Sequence, residues 1–488
     1  MPQRDTGRPI TTETRSGVRK GTKWLYRGAI SLAIIIYLIE AFGVPLLVTF
    51  DSYWYAKLAE VLGTARFATD WDYLRTPIFP LLLKLFFRLI GRQPLAVIAL
   101  QGVLGFGGIW LLSAGLNRVG RKIEAAILFP LLALFPTLVT YEHALLTEIG
   151  TFFFLALLLY TVTAPILHPV RRVAELAGVL TLGFYFRSSI LYLSPAVALV
   201  YAIGARNQAG ASGRSIPRIS GEALAVMLIP LLLAYPWQRN PLVAERTGKS
   251  VLLYGLVRQA VVPPADPLWA TARAAYQDAI DQSVNDGKLP LGGIKDQLVY
   301  KPVDLLYGYA SQAFPVFGKA IIRYPHRYLA GLVRTSLLFT EITPSDSDNV
   351  ALREALLAGG IYAVSRQPRD FPPLEAGMMR PAAAPGVAQC LRFVAPFYNI
   401  LVLVGFGATF ALLAYGIFRN DSPALAFSII PLVFLLLHAL LLVSQDRMAM
   451  PTYPLLLMNL VSLPGIFRAR FARVHPSTRV RAAAAHLV

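Results

Sequence analysis

The sequence predicts an all-α polytopic membrane protein with about ten transmembrane helices. The 488-residue chain is 56% hydrophobic and only 15% charged, and its mean hydropathy is +0.55. Several apolar runs reach the roughly 18 to 20 residues that cross a hydrocarbon core of about 30 Å. Charged residues lie mainly in short segments that flank these runs. Together these observations exclude an ordinary soluble domain.

The predicted spans follow the apolar runs in chain order. They cover residues 28–48, 94–115, 123–140, 149–165, 173–187, 189–204, 221–237, 394–418, 423–443 and 453–467. Segment 77–90 is apolar but short and carries Lys84 and Arg88, so we expect an interfacial or re-entrant helix there. Segment 321–341 is amphipathic and favours a further interfacial helix, although it could also cross, which gives a range of about 10 to 13 helices.

This pattern divides the chain into four parts. We expect an N-terminal transmembrane module at 1–237, with outer loops at 49–93 and 141–148 that carry the chemistry. An extracytoplasmic or interfacial region follows at 238–393. The C-terminal transmembrane helices lie at 394–467, and a basic cytoplasmic tail lies at 468–488.

Charge sets the predicted orientation. The net charge of +19 is concentrated in alternate loops and in both tails, which argues against a nucleic-acid partner and marks that side as cytoplasmic. Both termini are then cytoplasmic, and the acidic residues gather on the outer face. The single cysteine, Cys390, excludes an intramolecular disulfide. The Arg-rich, Ala-rich and Cys-poor composition favours a bacterial inner membrane, with the endoplasmic reticulum as the alternative.

Asp51 follows the first apolar run directly. Transfer of a group to a hydroxyl needs a base to accept the hydroxyl proton, and one carboxylate suffices for a direct displacement with inversion. The alternative interpretation is that Asp51 is the N-cap of the helix that begins at Ser52. An N-capping carboxylate also stays ionised beside the helix dipole, so the two interpretations are compatible.

Four predicted outer loops each contain an arginine. A set of guanidinium groups on one face could bind a phosphate leaving group, although each alone could equally be an interface anchor. These residues are Arg75, Arg187, Arg239 and Arg447.

Glu142, His143 and Glu148 lie within seven positions in another outer loop. They could contact a donor phosphate, an acceptor or a divalent ion, and Glu148 could orient Arg75 or Arg187. The alternative for Glu148 is structural, because the helix dipole stabilises a carboxylate in the first turn of a helix. The spacing does not match a dedicated metal site, so we predict no metal ligands and leave open a divalent cation such as Mg²⁺ or Mn²⁺.

These motifs, in this order, resemble the GT-C membrane glycosyltransferases, in particular the protein O-mannosyltransferase and lipid A aminoarabinose transferase branch. The first-loop carboxylate stands without the Asp-Glu pair of the O-mannosyltransferases, and Met448 follows Arg447 where the family often has tyrosine. The motifs that carry the resemblance are Asp51 with Tyr55, Arg75-x-Pro77-x-x-Pro80, Glu142 to Glu148, Pro236-Trp237 with Arg239-Asn240, and Asp446-Arg447 with Pro451 and Pro454.

The resemblance implies a GT-C-like fold and inverting transfer of a sugar from a polyprenyl-phosphate donor, outside the cytoplasm. It implies that Asp51 is the base and that arginines hold the lipid phosphate, with Tyr55, Glu142, His143 and Glu148 contacting substrate or acceptor. The expected partners are the lipid-linked sugar, membrane lipids, and a lipid, polysaccharide or protein acceptor. A transporter or flippase of lipid-linked saccharides, and a membrane scaffold, are the alternative functions.

Overall fold

The computed structural model describes residues 12–67, 75–212, 214–239, 313–340, 348–359, 383–441 and 446–474, with short pieces at 255–256, 259, 261–263 and 266–268. Most of the predicted 238–393 region lies outside the described residues. So do residues 68–74 of the first outer loop and the tail after residue 474.

The described chain is built from α-helices and short 3-10 turns. Its extended pairing consists of one isolated parallel bridge between Leu47 and Ala144. The helices are α1 Thr12–Gly43, α2 Phe50–Val61, α3 Ile78–Ile90, α4 Pro94–Arg118, α5 Lys122–Ala133, α6 Pro136–Glu142, α7 Glu148–Val162, α8 Pro169–Phe186, α9 Ser194–Ser212, α10 Ile216–Gln238, α11 Ala313–Arg323, α12 Pro325–Leu338, α13 Asp348–Gly359, α14 Pro385–Arg419, α15 Ser422–Leu440 and α16 Tyr453–Val474. The 3-10 turns are Ser188–Leu193, Asp446–Met448 and Met450–Thr452.

This architecture confirms the all-α polytopic prediction, and the chain is a multi-pass membrane protein. Each predicted span falls on a helix or on a pair of consecutive helices. Within the described residues, 6 helices are long and apolar enough to cross a membrane, or up to 7 if the bent pair of α5 and α6 forms one span. The six are Lys23–Gly43, Pro94–Arg118, Ser188–Gln208, Ile216–Gln238, Pro385–Arg419 and Ser422–Leu440.

The predicted span 123–140 is not one straight helix. It bends by 62° between α5 and α6. Phe135 is extended, with φ −74° and ψ 110°, as expected for a residue that precedes a proline, and Pro136 then begins α6. All seven residues of α6 are buried, so the bend carries the chain into the protein interior.

The two predicted interfacial segments are both helical. α3 has 13 residues, too few to cross the roughly 30 Å hydrocarbon core. The expectation of one helix over 321–341 was wrong in its bounds, because the chain forms α11 and α12 with a break at Tyr324. Pro325 disfavours helical backbone at the residue before it and begins α12.

The interior is held together by close helix contacts around α4 and α7. α4 packs along α7, and a Cβ added to Gly108 of α4 would lie 2.5 Å from the ring of Phe152. A Cβ at Gly150 of α7 would overlap the ring of Phe186, the last residue of α8. Glycine at these two positions therefore sets how closely the helices approach, and this fixes the start of α7 beside the end of α8.

Candidate functional site

The first turn of α2 presents Asp51. Thr49 is the N-cap of this helix: its hydroxyl accepts from the Ser52 amide, and the Ser52 hydroxyl accepts from the Thr49 amide at 2.8 Å. The interpretation of Asp51 as the N-cap was therefore wrong. Because two hydroxyls already satisfy the start of the helix, the Asp51 carboxylate is left for other partners while still lying in the favourable field of the helix N-terminus.

Two arginines, 24 and 396 positions away in the chain, bind that carboxylate. Arg75 Nη2 lies 2.5 Å from Asp51 Oδ1, and Arg447 Nη2 lies 2.7 Å from Asp51 Oδ2. The Asp51 side chain is 25% exposed, and the two arginine side chains are 14% and 18% exposed. The carboxylate is thus bound on both oxygens by largely buried guanidinium groups, yet it remains accessible from outside.

The environment of Asp51 fixes its charge. Burial raises its pKa, but the neighbouring charges and hydrogen bonds of Arg447 and Arg75 outweigh burial and lower the pKa to about 2. Asp51 is therefore ionised throughout the neutral and mildly acidic range.

Aromatic and hydroxyl side chains hold Arg75 in place. Its guanidinium lies 5.1 Å from the ring centre of Tyr55, and the Tyr55 hydroxyl lies 3.4 Å from Thr147 Oγ1. The next residue, Thr76, is buried and donates to the carbonyl of Phe186 at 2.8 Å. Arg75 is thus fixed between the start of α2 and the end of α8.

A second ion pair lies beside the first. Arg187 Nη1 is 3.4 Å from Glu148 Oε1, and the Glu148 side chain is only 3% exposed. Arg187 also contacts the sulfur of Met448, the residue after Arg447. The 3-10 turn Asp446–Met448 therefore touches both ion pairs. This geometry agrees with the suggestion that Glu148 orients Arg187.

Hydrogen bonds to backbone carbonyls join the two loops that the sequence predicts to be outer. The Leu47 amide donates to the His143 carbonyl at 2.6 Å, and the Ser52 hydroxyl donates to the Leu145 carbonyl at 3.1 Å. The Gln101 amide group donates to the carbonyls of Ala144 and Leu146 at 2.8 and 2.6 Å. Sequence reasoning missed Gln101, although a buried amide within an apolar run was a usable signal.

The predicted site residues divide into two sets. We call the set that comes together the Asp51 cluster; it consists of Asp51, Tyr55, Arg75, Glu148, Arg187 and Arg447. Glu142 and His143 point elsewhere: the Glu142 carboxylate accepts from the Tyr37 hydroxyl of α1, and His143 Nδ1 lies 3.0 Å from the Val139 carbonyl. Arg239 is exposed and lies over the ring of Tyr235 on its own helix.

The carboxylate oxygens of the Asp51 cluster do not suit a divalent cation as ligands. Both oxygens of Asp51 accept from arginines, and Glu148 faces Arg187. Within the described ranges, the side chains of His, Cys, Asp and Glu form no group of three that could hold a metal ion. Guanidinium groups are the cations here, so the chemistry proposed below takes no step through a metal.

Comparison with known proteins gave structural likenesses only. The chain aligns with ArnT from Cupriavidus metallidurans bound to undecaprenyl phosphate, at 12% identity and a TM-score of 0.37, over 86% of this chain and 78% of that one. The same protein in the apo state aligns at 14% identity and a TM-score of 0.33, over 91% and 78% of the two chains.

The apo oligosaccharyltransferase of Archaeoglobus fulgidus aligns at 14% identity and a TM-score of 0.45, over 93% of this chain and 52% of that one. The chain thus spans about half of the oligosaccharyltransferase. No protein-family model matches the sequence, and no curated protein matches it. The geometry of the Asp51 cluster is therefore the basis for assigning a function.

Proposed function

We propose that the protein is an inverting glycosyltransferase of the GT-C type that moves a sugar from a polyprenyl-phosphate donor to a hydroxyl acceptor. The observation that carries the proposal is the contact of one accessible carboxylate, Asp51, with Arg75 and Arg447. Transfer from a lipid phosphate to an alcohol requires one group that accepts the hydroxyl proton and several groups that bind the phosphate.

The reaction follows from the charges. The acceptor oxygen attacks the anomeric carbon and forms the new glycosidic bond, while the bond from that carbon to the phosphate oxygen breaks. Its electron pair stays on the phosphate, which gains a negative charge that Arg75 and Arg447 stabilise. Asp51 accepts a hydrogen bond from the acceptor hydroxyl and takes its proton. As the arginines bind the phosphate, their hold on Asp51 weakens and its basicity rises.

The other members of the cluster position these groups. Glu148 fixes Arg187 beside the turn that carries Arg447, and Tyr55 supports Arg75. We place this site on the extracytoplasmic face of a bacterial inner membrane with both termini in the cytoplasm. The acceptor is a lipid, a polysaccharide or a protein.

The test is transfer of radiolabelled sugar in proteoliposomes from a panel of polyprenyl-phosphate sugars, with membrane extract as acceptor. We expect the Asp51→Asn variant to lose about 10²- to 10⁴-fold in rate, the usual contribution of a positioned base. Glu175→Gln is the matched control, because Glu175 pairs with Arg171 and Arg172, outside the Asp51 cluster. Full transfer by a folded Asp51→Asn protein would refute the mechanism.

One observation favours the second candidate, a flippase of lipid-linked saccharides. Glu40 of α1 is buried, and its Oε2 has no hydrogen-bond partner in the described structure. An ionisable group inside a predicted span commonly marks a transport path. Movement of the donor lipid between leaflets in the same proteoliposomes, without sugar transfer, would support this function and exclude the first.

A further inference from the structure

A groove lies at the edge of α11 and contains no residue of the Asp51 cluster. It is an open groove with a volume of about 440 Å³. The described residues that line it are Pro267, Leu268, Lys319, Ile322 and Arg323.

A buried carboxylate orients one of the groove's two cations. Arg323 Nε lies 3.2 Å from Asp266 Oδ2, and the Tyr324 hydroxyl donates to the same carboxylate. The Asp266 side chain is only 3% exposed, whereas that of Arg323 is 57% exposed. A guanidinium has five N–H donors, so Arg323 keeps donors for a ligand after binding Asp266.

Lys319 supplies the second cation. It lies one turn before Arg323 on α11, is exposed, and has no carboxylate partner within the described residues. The guanidinium carbons of Arg323 and Arg327 lie 5.8 and 6.0 Å from the centre of the Tyr324 ring. The groove therefore combines an excess of positive charge with the apolar walls of Leu268 and Ile322.

Contacts of α12 place this groove at the end of a membrane span. α12 packs against α15, and the Tyr328 hydroxyl donates to the carbonyl of Leu440, the last residue of α15. Leu329, Val333 and Leu337 are exposed at four-residue spacing along α12. An apolar stripe of this kind on a helix at the end of a span suits the boundary between headgroups and acyl chains.

We propose that this groove binds an anionic phospholipid of the surrounding bilayer. The lipid phosphate lies on Lys319 and Arg323, and the upper part of an acyl chain packs on Ile322 and Leu268. Basic residues near a membrane surface are attracted by anionic lipid, and a guanidinium matches phosphate geometry. The proposal is independent of the glycosyltransferase function, since the groove contains no member of the Asp51 cluster.

The test is lipid retention by the purified full-length protein in neutral detergent, measured by native mass spectrometry. The probes are phosphatidylglycerol, phosphatidylcholine and inorganic phosphate. We expect preferential retention of phosphatidylglycerol, and Lys319→Gln should weaken it about fivefold, the effect of one basic residue. Lys319→Gln with Arg323→Gln should weaken it further, and Ile322→Asn should weaken it without a change in charge.

Arg171→Gln with Arg218→Gln is the matched control, because it removes two exposed cations that each pair with a glutamate four residues later. An equal loss of phosphatidylglycerol retention in this control would show that binding depends only on overall charge, and it would overturn the proposal. Equal retention of phosphatidylcholine, or displacement of the lipid by millimolar phosphate, would overturn it as well. Lys319 is exposed, so its single variant keeps the test valid if the double variant unfolds.

Discussion

Asp51 and Glu142 are acidic residues predicted for the same face of the membrane, but their surroundings are opposite. Asp51 is partly exposed, and its two oxygens are bound by arginines from other parts of the chain. Glu142 is 2% exposed and accepts from the Tyr37 hydroxyl. Within the described residues no lysine or arginine pairs with Glu142. Glu40, one turn after Tyr37 on α1, is a second buried acid there.

Under the proposed function, the difference separates the carboxylate that reacts from one that contributes to packing. A charged, accessible carboxylate can contact a substrate, and its arginines can donate their hydrogen bonds to an incoming anion instead. A carboxyl group enclosed between helices and bound to a tyrosine connects those helices, and its loss costs stability. Gly105 of α4 makes room for Glu142, since a Cβ there would overlap the Glu142 carboxyl group.

After Asp51→Asn itself, the largest effect should come from the arginines of the Asp51 cluster. Arg447→Gln and Arg75→Gln should each lower the rate of sugar transfer about 10²-fold, because each removes a donor that stabilises the phosphate leaving group. Arg239→Gln is the control, since Arg239 lies on the same predicted face but outside the cluster, and it should retain transfer within about twofold. Similar losses in all three variants would remove the distinction between the cluster and its surroundings.

An intermediate effect concerns stability and pH. The pKa of Asp51 in the folded protein is about 2 and therefore lies below its ordinary value, so its ion pairs stabilise the folded state above about pH 4. This contribution, on the order of 2 kcal/mol, is lost as the pH falls towards 2. The gap in unfolding free energy between wild type and Asp51→Asn in detergent should narrow between pH 6 and about pH 3. A gap that stays constant would show that the ion pairs do not set the pKa.

The smallest effect should follow Glu142→Gln. Glutamine can still accept from the Tyr37 hydroxyl, so sugar transfer should stay within about threefold of wild type. Tyr37→Phe, in contrast, leaves a buried carboxyl group without its donor and should lower the unfolding free energy by about 1 to 3 kcal/mol. If Glu142→Gln lost as much transfer as Arg447→Gln, Glu142 would belong to the reaction and the comparison would fail.

The sequence was sufficient to predict that several separate loops contribute to one face. Alternation of apolar runs and basic loops placed Asp51, Arg75, Glu148, Arg187 and Arg447 at one end, and the structure brings these residues together. Their order and shared face needed no knowledge of helix contacts.

The orientation of the side chains could not be predicted in the same way. Glu142 and Glu148 are six positions apart, but a bend at Pro136 and the turn after α6 direct Glu142 to α1 and Glu148 to Arg187. The capping role of Thr49 and the bond from Thr76 to Phe186 depend on local backbone geometry and on a contact across 110 positions. Apolar periodicity contains neither kind of information.

Asp51 and Arg447 are 396 positions apart in the chain. During synthesis a ribosome releases Asp51 and Arg75 early, whereas Arg447 follows only after α14 and α15 have entered the membrane. A nascent chain stopped before α15 therefore lacks one of the two arginines that contact Asp51. If the proposed function is correct, sugar transfer arises late in biogenesis and is a measure of completed insertion of the C-terminal helices.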